Sequence, residues 1–268
     1  MSPPSLWYYT GYSLILASRL FKSVLDRLYW VASLPEKFTV IVWTPQEIDR
    51  YARAYWNSWP SVQGYSRMDD WLGVTEKTLV ETYFTNEGAL LNLTCGAGRE
   101  ALLLARRGLT VTASDWGSRM VGEAQRRARE ADLPIRFAVA DLYNIPYQEQ
   151  TFDYLLLTNI AYSCLFPKRR RIWLLRQAHS VLKPGGVFII SFAPARGSAQ
   201  TTPRLLETLF MSLRQWPPCN REYEPGDRFE GTFIHYFQPE ELRQEFGEAQ
   251  FLIKDWLYDK GYAVLVKL

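Results

Sequence analysis

Apolar positions between Tyr12 and Trp30 fall at Leu14, Ala17, Phe21, Val24, Leu25 and Leu28, with Arg19, Lys22, Asp26 and Arg27 mostly off that stripe. This spacing predicts an amphipathic helix. Pro35 interrupts it. A second helix is predicted to start at Thr44. Thr44 is a good cap, Pro45 suits the first helical position, and Glu47 completes a capping box. This helix carries Ile48, Tyr51, Ala52, Tyr55 and Trp56.

From Leu90 the pattern changes. Short apolar runs predict strands over 89–94, 110–114, 136–140, 152–158 and 187–191. Helical spacing predicts helices over 99–107, 118–130 and 169–182. Apolar strands alternating with helices imply a parallel sheet covered on both faces. Lys183-Pro184-Gly185-Gly186 ends the third helix and turns into the fifth strand. After Ser191 the alternation stops. A helix over 202–216, a polar loop over 219–228, an extended segment over 229–237 and a capped helix over 239–245 follow. Strands over 251–258 and 262–267 have so short a link that they are expected to pair antiparallel. The pattern divides the chain into an aromatic-rich helical cap, 1–87, and an α/β domain, 88–268, with an insert at 192–237.

Composition narrows the class. With 47% hydrophobic and 22% charged residues, the 268-residue chain reads as globular rather than disordered. A net charge of +3 gives no argument for a nucleic-acid partner. Cys95, Cys164 and Cys219 are odd in number and widely spaced, which points away from disulfides or zinc and toward a cytoplasmic setting. No apolar run reaches the roughly 20 residues that span a bilayer. The apolar stretch Leu6 to Ser18 has no basic residue before it, so it reads as part of the folded protein rather than a secretory signal. Residues 5–32 suit a core or dimer interface, with weak membrane-surface association as the rival reading.

Two features carry chemistry. In Leu90-Leu91-Asn92-Leu93-Thr94-Cys95-Gly96-Ala97-Gly98-Arg99 an apolar run ends in Gly-x-Gly and opens into a helix. That geometry lets a backbone approach a ligand closely. The next apolar run ends in Asp115, placed to accept hydrogen bonds from ribose hydroxyls. Ala140-Asp141-Leu142 and Leu182-Lys183-Pro184-Gly185-Gly186 follow in order.

Over about residues 88–268 these stretches resemble the class I S-adenosylmethionine (SAM)-dependent methyltransferases. The resemblance implies a Rossmann-like, doubly wound, seven-stranded and mostly parallel sheet. It also implies SAM as cofactor. Thr94, Gly96, Ala97 and Gly98 then lie near its methionine part. Asp115 takes the ribose, Trp116 flanks the adenine, Asp141 accepts from the adenine amino group beside the Leu142 amide, and Asn159 closes over the sulfonium. The chain departs from the family pattern twice: Asn92 stands where an acid is usual, and Thr94 where the first glycine is usual.

The acceptor pocket is expected beyond the carboxyl ends of the strands. Tyr162, just after strand four, and His235, in the insert, are the candidate catalytic side chains, with a packing role as the alternative for each. Trp56, Trp59, Tyr65 and Trp71 suit helices lying over the open end of the sheet, and Tyr65 and Arg67 are candidates to reach cofactor or acceptor. The basic run Lys168 to Arg171 reads as a solvated face. No carboxylate cluster stands out near Asp141, so no metal site is expected.

The leading expectation is methylation of O, N or S of a small molecule by a monomer or homodimer. Protein or nucleic-acid methylation and a non-catalytic SAM-binding protein are the alternatives. Thr158-Asn159-Ile160-Ala161 is not the N/D-P-P-Y/F signature of exocyclic-amine enzymes.

Overall fold

The computed structural model describes residue 22 and residues 34–67, 72–195, 204–217 and 219–268. The helix expected over 12–30 lies outside them, except for Lys22, which is helical; Trp71 lies outside them too. Among the described residues no helix is long and apolar enough to cross a membrane.

Among the described residues, α1 (Leu34–Val42), α2 (Pro45–Trp56), α3 (Trp59–Ser66) and α4 (Val74–Tyr83) precede the sheet. Pro35 sits in the first turn of α1, where its missing N–H costs nothing, so it opens this helix. The capping box of α2 forms as expected. Thr44 Oγ1 accepts from the Glu47 amide at 3.3 Å, and Glu47 Oε2 accepts from the Thr44 amide at 2.7 Å.

The α/β part runs β1 (Ala89–Asn92), α5 (Arg99–Arg106), β2 (Thr110–Asp115), α6 (Ser118–Glu130), β3 (Arg136–Val139), β4 (Phe152–Leu157), α7 (Lys168–Val181) and β5 (Leu182–Ser191). After the insert come α9 (Pro239–Glu248), β9 (Phe251–Leu257) and β10 (Tyr262–Lys267), with α8 (Arg204–Leu213) inside the insert. The sheet order is β3-β2-β1-β4-β5-β10-β9. The first five strands pair parallel, and β10 runs antiparallel to both β5 and β9.

Successive strand residues feed opposite faces, as a period of two requires. Leu91, Leu155, Leu157, Phe188 and Ile190 join one core with Leu174, Leu175 and Ala178 of α7 and Phe246 of α9. Leu90, Val111, Leu156 and Ile189 join the other with Leu79 and Val80 of α4 and Ala101 and Leu104 of α5. Two buried faces are why the strands read as continuous apolar runs.

Two local expectations change. Pairing of β5 with β4 begins at Leu182, so Lys183 to Gly186 form an irregularity inside the strand rather than a turn before it. Lys183 Nζ pairs with Asp153 there at 2.7 Å. The segment 229–237 is a hairpin, β7 (Asp227–Phe229) and β8 (Phe233–Phe237), because Gly231 takes φ +70° at the turn. With β6 (Ala193–Pro194) the two form a small second sheet.

The insert and the first helices share one core. Val40, Ile41 and Ile48 pack with Phe166, Phe210, Tyr223, Phe229 and Phe233. Asn220 seals the contact, its amide side chain donating to the Val40 carbonyl at 3.1 Å.

Gly98 joins β1 to α5 at φ +90°, and a Cβ there would lie 2.7 Å from Leu102 Cδ1 and 3.0 Å from Ala124 Cβ. Gly98→Ala is therefore expected to cost roughly 1–3 kcal/mol through strain and overpacking. Urea denaturation checks this, and an unchanged midpoint contradicts it.

Candidate functional site

The loop after β1 is fixed by its own backbone. The Leu93 amide donates to the Leu156 carbonyl at 2.9 Å, Cys95 to Ser114 at 2.9 Å, and Gly98 to Cys95 at 2.7 Å. Asp115 then joins this loop to the next. Its Oδ2 accepts from the Gly96 amide at 3.0 Å and its Oδ1 from the Gly117 amide at 2.8 Å. Burial pushes the carboxyl pKa up, and the two amides pull it back. Each oxygen keeps a further lone pair for a ligand.

Above this loop lies a cleft of about 670 Å³, counting its open mouth. Thr94, Gly96 and Asp115 form its base; Trp116, Met120 and Leu142 flank one side; Thr158, Asn159, Ala161, Cys164 and Leu165 line the other. Trp56 of α2 and Tyr65 of α3 complete the wall. Six residues expected at a cofactor site, Thr94, Gly96, Asp115, Trp116, Leu142 and Asn159, are thus brought together from the ends of several strands.

Five expected residues are not in that lining. Ala97 is buried, and its carbonyl accepts from Arg127 Nη1 at 2.9 Å. Gly98 packs against α6. Asp141 pairs with Arg53 and accepts from the Tyr143 amide at 2.9 Å. Tyr162 turns away from the cleft into the core. Its ring stacks on Phe237 at 5.2 Å and its hydroxyl donates to Glu245. Its side chain is fully buried, and burial beside the Glu245 carboxylate holds its proton on more firmly than usual.

His235 is also corrected. It is fully buried, with Nδ1 2.6 Å from Asp227 Oδ1 and Nε2 2.9 Å from Glu241 Oε1. Burial pulls its pKa down, but the hydrogen bonds to Asp227 and Glu241 outweigh that and raise it to about 9. At neutral pH it is an imidazolium with both protons engaged, so it is not a base.

The same network corrects the solvated reading of the basic run at Arg171, while Arg169 stays exposed. Arg171 has no exposed surface. Its Nη2 donates to Glu245 Oε1 at 2.8 Å and to Glu224 Oε2 at 3.0 Å, and its Cζ lies 5.0 Å from the Phe237 ring centroid. Glu224, His235 and Glu241 bring potential metal-ligating atoms within 4.8 Å of one another. Arg171 and the imidazolium already supply positive charge to those carboxylates.

Strain marks the far wall. Asn159 and Ile160, directly after β4, take φ +55° and +52°. A β-branched residue there is an outlier of the kind that clusters at functional sites. Glu100 helps hold Asn159: its Oε1 accepts from Asn159 Nδ2 at 3.0 Å and Thr158 Oγ1 at 3.3 Å, and it pairs with Arg99. Glu76 lies 3.7 Å from Arg99, and burial raises its pKa to about 7.

The two departures from the family pattern also have a structural reading. Thr94 is not among the left-handed residues, so its Cβ is accommodated, and its Oγ1 is buried without a partner in the cleft wall. Asn92 is fully buried, and both its amide atoms lack a partner. Sequence reasoning missed Met120, Arg53 and Glu100. Met120 carries no signal beyond helical spacing, and the other two act through contacts distant in the chain.

Residues 90–186 match the family model described as a methyltransferase domain. The demethylmenaquinone methyltransferase of Thermotoga maritima is 32% identical over 154 residues, 56% of this chain and 60% of that protein. The chain spans about half the length of the curated relatives it matches. The SAM-dependent methyltransferase of Methanosarcina mazei superposes with a TM-score of 0.56 at 20% identity, over 75% of this chain and 99% of that one. The magnesium protoporphyrin IX methyltransferase of Synechocystis, solved with bound S-adenosylhomocysteine (SAH), gives 0.55 at 19% identity, over 82% and 100%.

The pKa of His235 is raised from 6.5 to about 9 on folding, so its stabilising contribution is fully present below pH 6.5 and fades as pH rises through 9. The stability gap between the wild type and His235→Gln should narrow by on the order of 3 kcal/mol from pH 6 to pH 10. Denaturation at several pH values reads it, and a gap independent of pH contradicts the assignment.

Proposed function

We propose that the chain is a class I SAM-dependent methyltransferase and that it transfers a methyl group from SAM to O, N or S of a small-molecule acceptor held in the cleft under α2 and α3. The observation that carries this is the convergence of Thr94, Gly96, Asp115, Trp116, Leu142 and Asn159 on one cleft.

The residues fit the cofactor. Gly96, at φ +48°, leaves its face of the cleft clear of side chain. Asp115 has spare lone pairs for two ribose hydroxyls. Trp116 and Leu142 provide apolar faces for a flat base. The orphaned Thr94 hydroxyl and Asn92 amide are polar groups still lacking partners. When bound, the cofactor supplies an electrophilic methyl on a sulfonium.

The protein's own part is positional. Rigid strand ends hold the loop and Asp115, the strained Asn159–Ile160 step sets the far wall, and proximity supplies much of the acceleration. Trp56, Tyr65, Ala161 and Leu165 make the remaining wall largely apolar and shield it from water. Burial pushes Tyr65 and Cys164 up to about 12, so both keep their protons at neutral pH. A small apolar acceptor suits this lining, in keeping with a relative named for demethylmenaquinone methylation. The free thiols of Cys95, Cys164 and Cys219 are in keeping with a cytoplasmic setting.

Calorimetric titration with SAH tests the reading. Micromolar binding that weakens at least tenfold in Asp115→Ala supports it, and unchanged affinity in the variant rejects the ribose assignment. A second test uses Asn92→Leu. Replacing an unpartnered buried amide by an apolar side chain should leave stability within about 1 kcal/mol or raise it, whereas SAH affinity should fall. A large stability loss would show that Asn92 is a packing residue.

A further inference from the structure

We propose that Arg53 of α2 is a further residue of the cofactor site, occupying the adenine subsite of the free protein and yielding it when the base binds. This rests on the adenine assignment made above.

One guanidinium engages both groups that the base would use. Arg53 Nη2 donates to Asp141 Oδ2, and Arg53 Cζ lies 4.8 Å from the Trp116 ring centroid. A guanidinium is flat and rich in N–H donors, and it stacks on aromatic faces. Adenine brings the same two features, a flat face and an amino donor. Arg53 is therefore a chemical stand-in for the base, supplied by the chain itself.

The surroundings let this group leave without being stranded. Arg53 Nε also donates to Asp49 Oδ2 at 3.2 Å, one helical turn away, so it keeps a carboxylate partner after release. Asp49 is in turn 3.6 Å from Arg170 Nη1, and Arg170 Cζ lies 4.4 Å from the Tyr143 ring centroid. The Tyr143 amide holds Asp141 Oδ1 at 2.9 Å, so the carboxylate stays aimed whichever donor it receives. The Arg53 and Asp141 side chains are 39% and 34% exposed. A pair so exposed is weak enough to exchange for a ligand.

The exchange reaches the acceptor side. Trp56 lines the cleft three residues after Arg53 on the same helix. Release of Arg53 therefore takes place on the helix that also carries part of the acceptor wall.

The test compares the wild type with Arg53→Met, which keeps length and loses charge and donors, and with Arg53→Gln as a second variant in case the first misfolds. SAH and 5′-methylthioadenosine, which shares the adenine but lacks the amino-acid part, are titrated into each. Both ligands are expected to bind the variants roughly three- to tenfold tighter, by the same factor, as loss of a partly exposed pair and a stacking contact implies. In the wild type, SAH should change amide hydrogen exchange in α2. Equal or weaker binding by the variants while the wild type binds SAH overturns the role of Arg53 alone, as does a gain confined to SAH. Absence of binding by every protein overturns the cofactor reading and this inference with it.

Discussion

The carboxylate of Asp115 is the tie on which both fold and site depend. It ends β2, yet it accepts from Gly96 in the loop after β1 and from Gly117 at the start of α6. Two neighbouring strand ends and the two helices that follow them are thereby held in one geometry. The two amide donors offset part of the cost of burying the charge, and Asp115 keeps free lone pairs at the lining of the cleft. Substrate chemistry is then a matter of what the other walls bring to that fixed base.

Those walls come from two sources. The sheet contributes Thr158 and Asn159 just after β4, followed by Ala161, Cys164 and Leu165, and the first helices contribute Trp56 and Tyr65. The helices are not free-standing. They share a core with the insert through Ile41, Ile48, Phe229 and Phe233, so the first helices and the insert are packed as one unit. Behind them lies a charge network in which Arg171 and His235 pair with Glu224, Asp227, Glu241 and Glu245. Its work is structural: it fixes α7, α9 and the insert relative to one another.

The fold was legible because the strands are buried on both faces, so that Leu90 and Leu91 or Leu155 to Leu157 read as apolar whichever way each side chain points. The place of Asp115 and Trp116 in the cleft lining was legible for a related reason: a residue at or just past a strand end is placed by the strand. Tyr162 and His235 were misread because chain position near a site says nothing about rotamer or partner. Tyr162 finds Glu245 eighty-three residues later, and His235 is claimed by Asp227 and Glu241 on either side of its own strand. Arg171 sat in a basic run that looked solvated, and only the carboxylates of distant elements explain its burial. Arg53 was invisible for the same reason, since its meaning lies in Asp141, eighty-eight residues away. Local periodicity specifies elements; long-range polar pairing is settled only in three dimensions.

A crystal structure of the protein grown with SAH is the most direct test of the cleft as the cofactor site. The adenine should lie between Trp116 and Leu142, with both ribose hydroxyls on Asp115 and the homocysteine part along Gly96 and Thr94. Ordered SAH outside this cleft, or inside it with the ribose away from Asp115, would contradict the account.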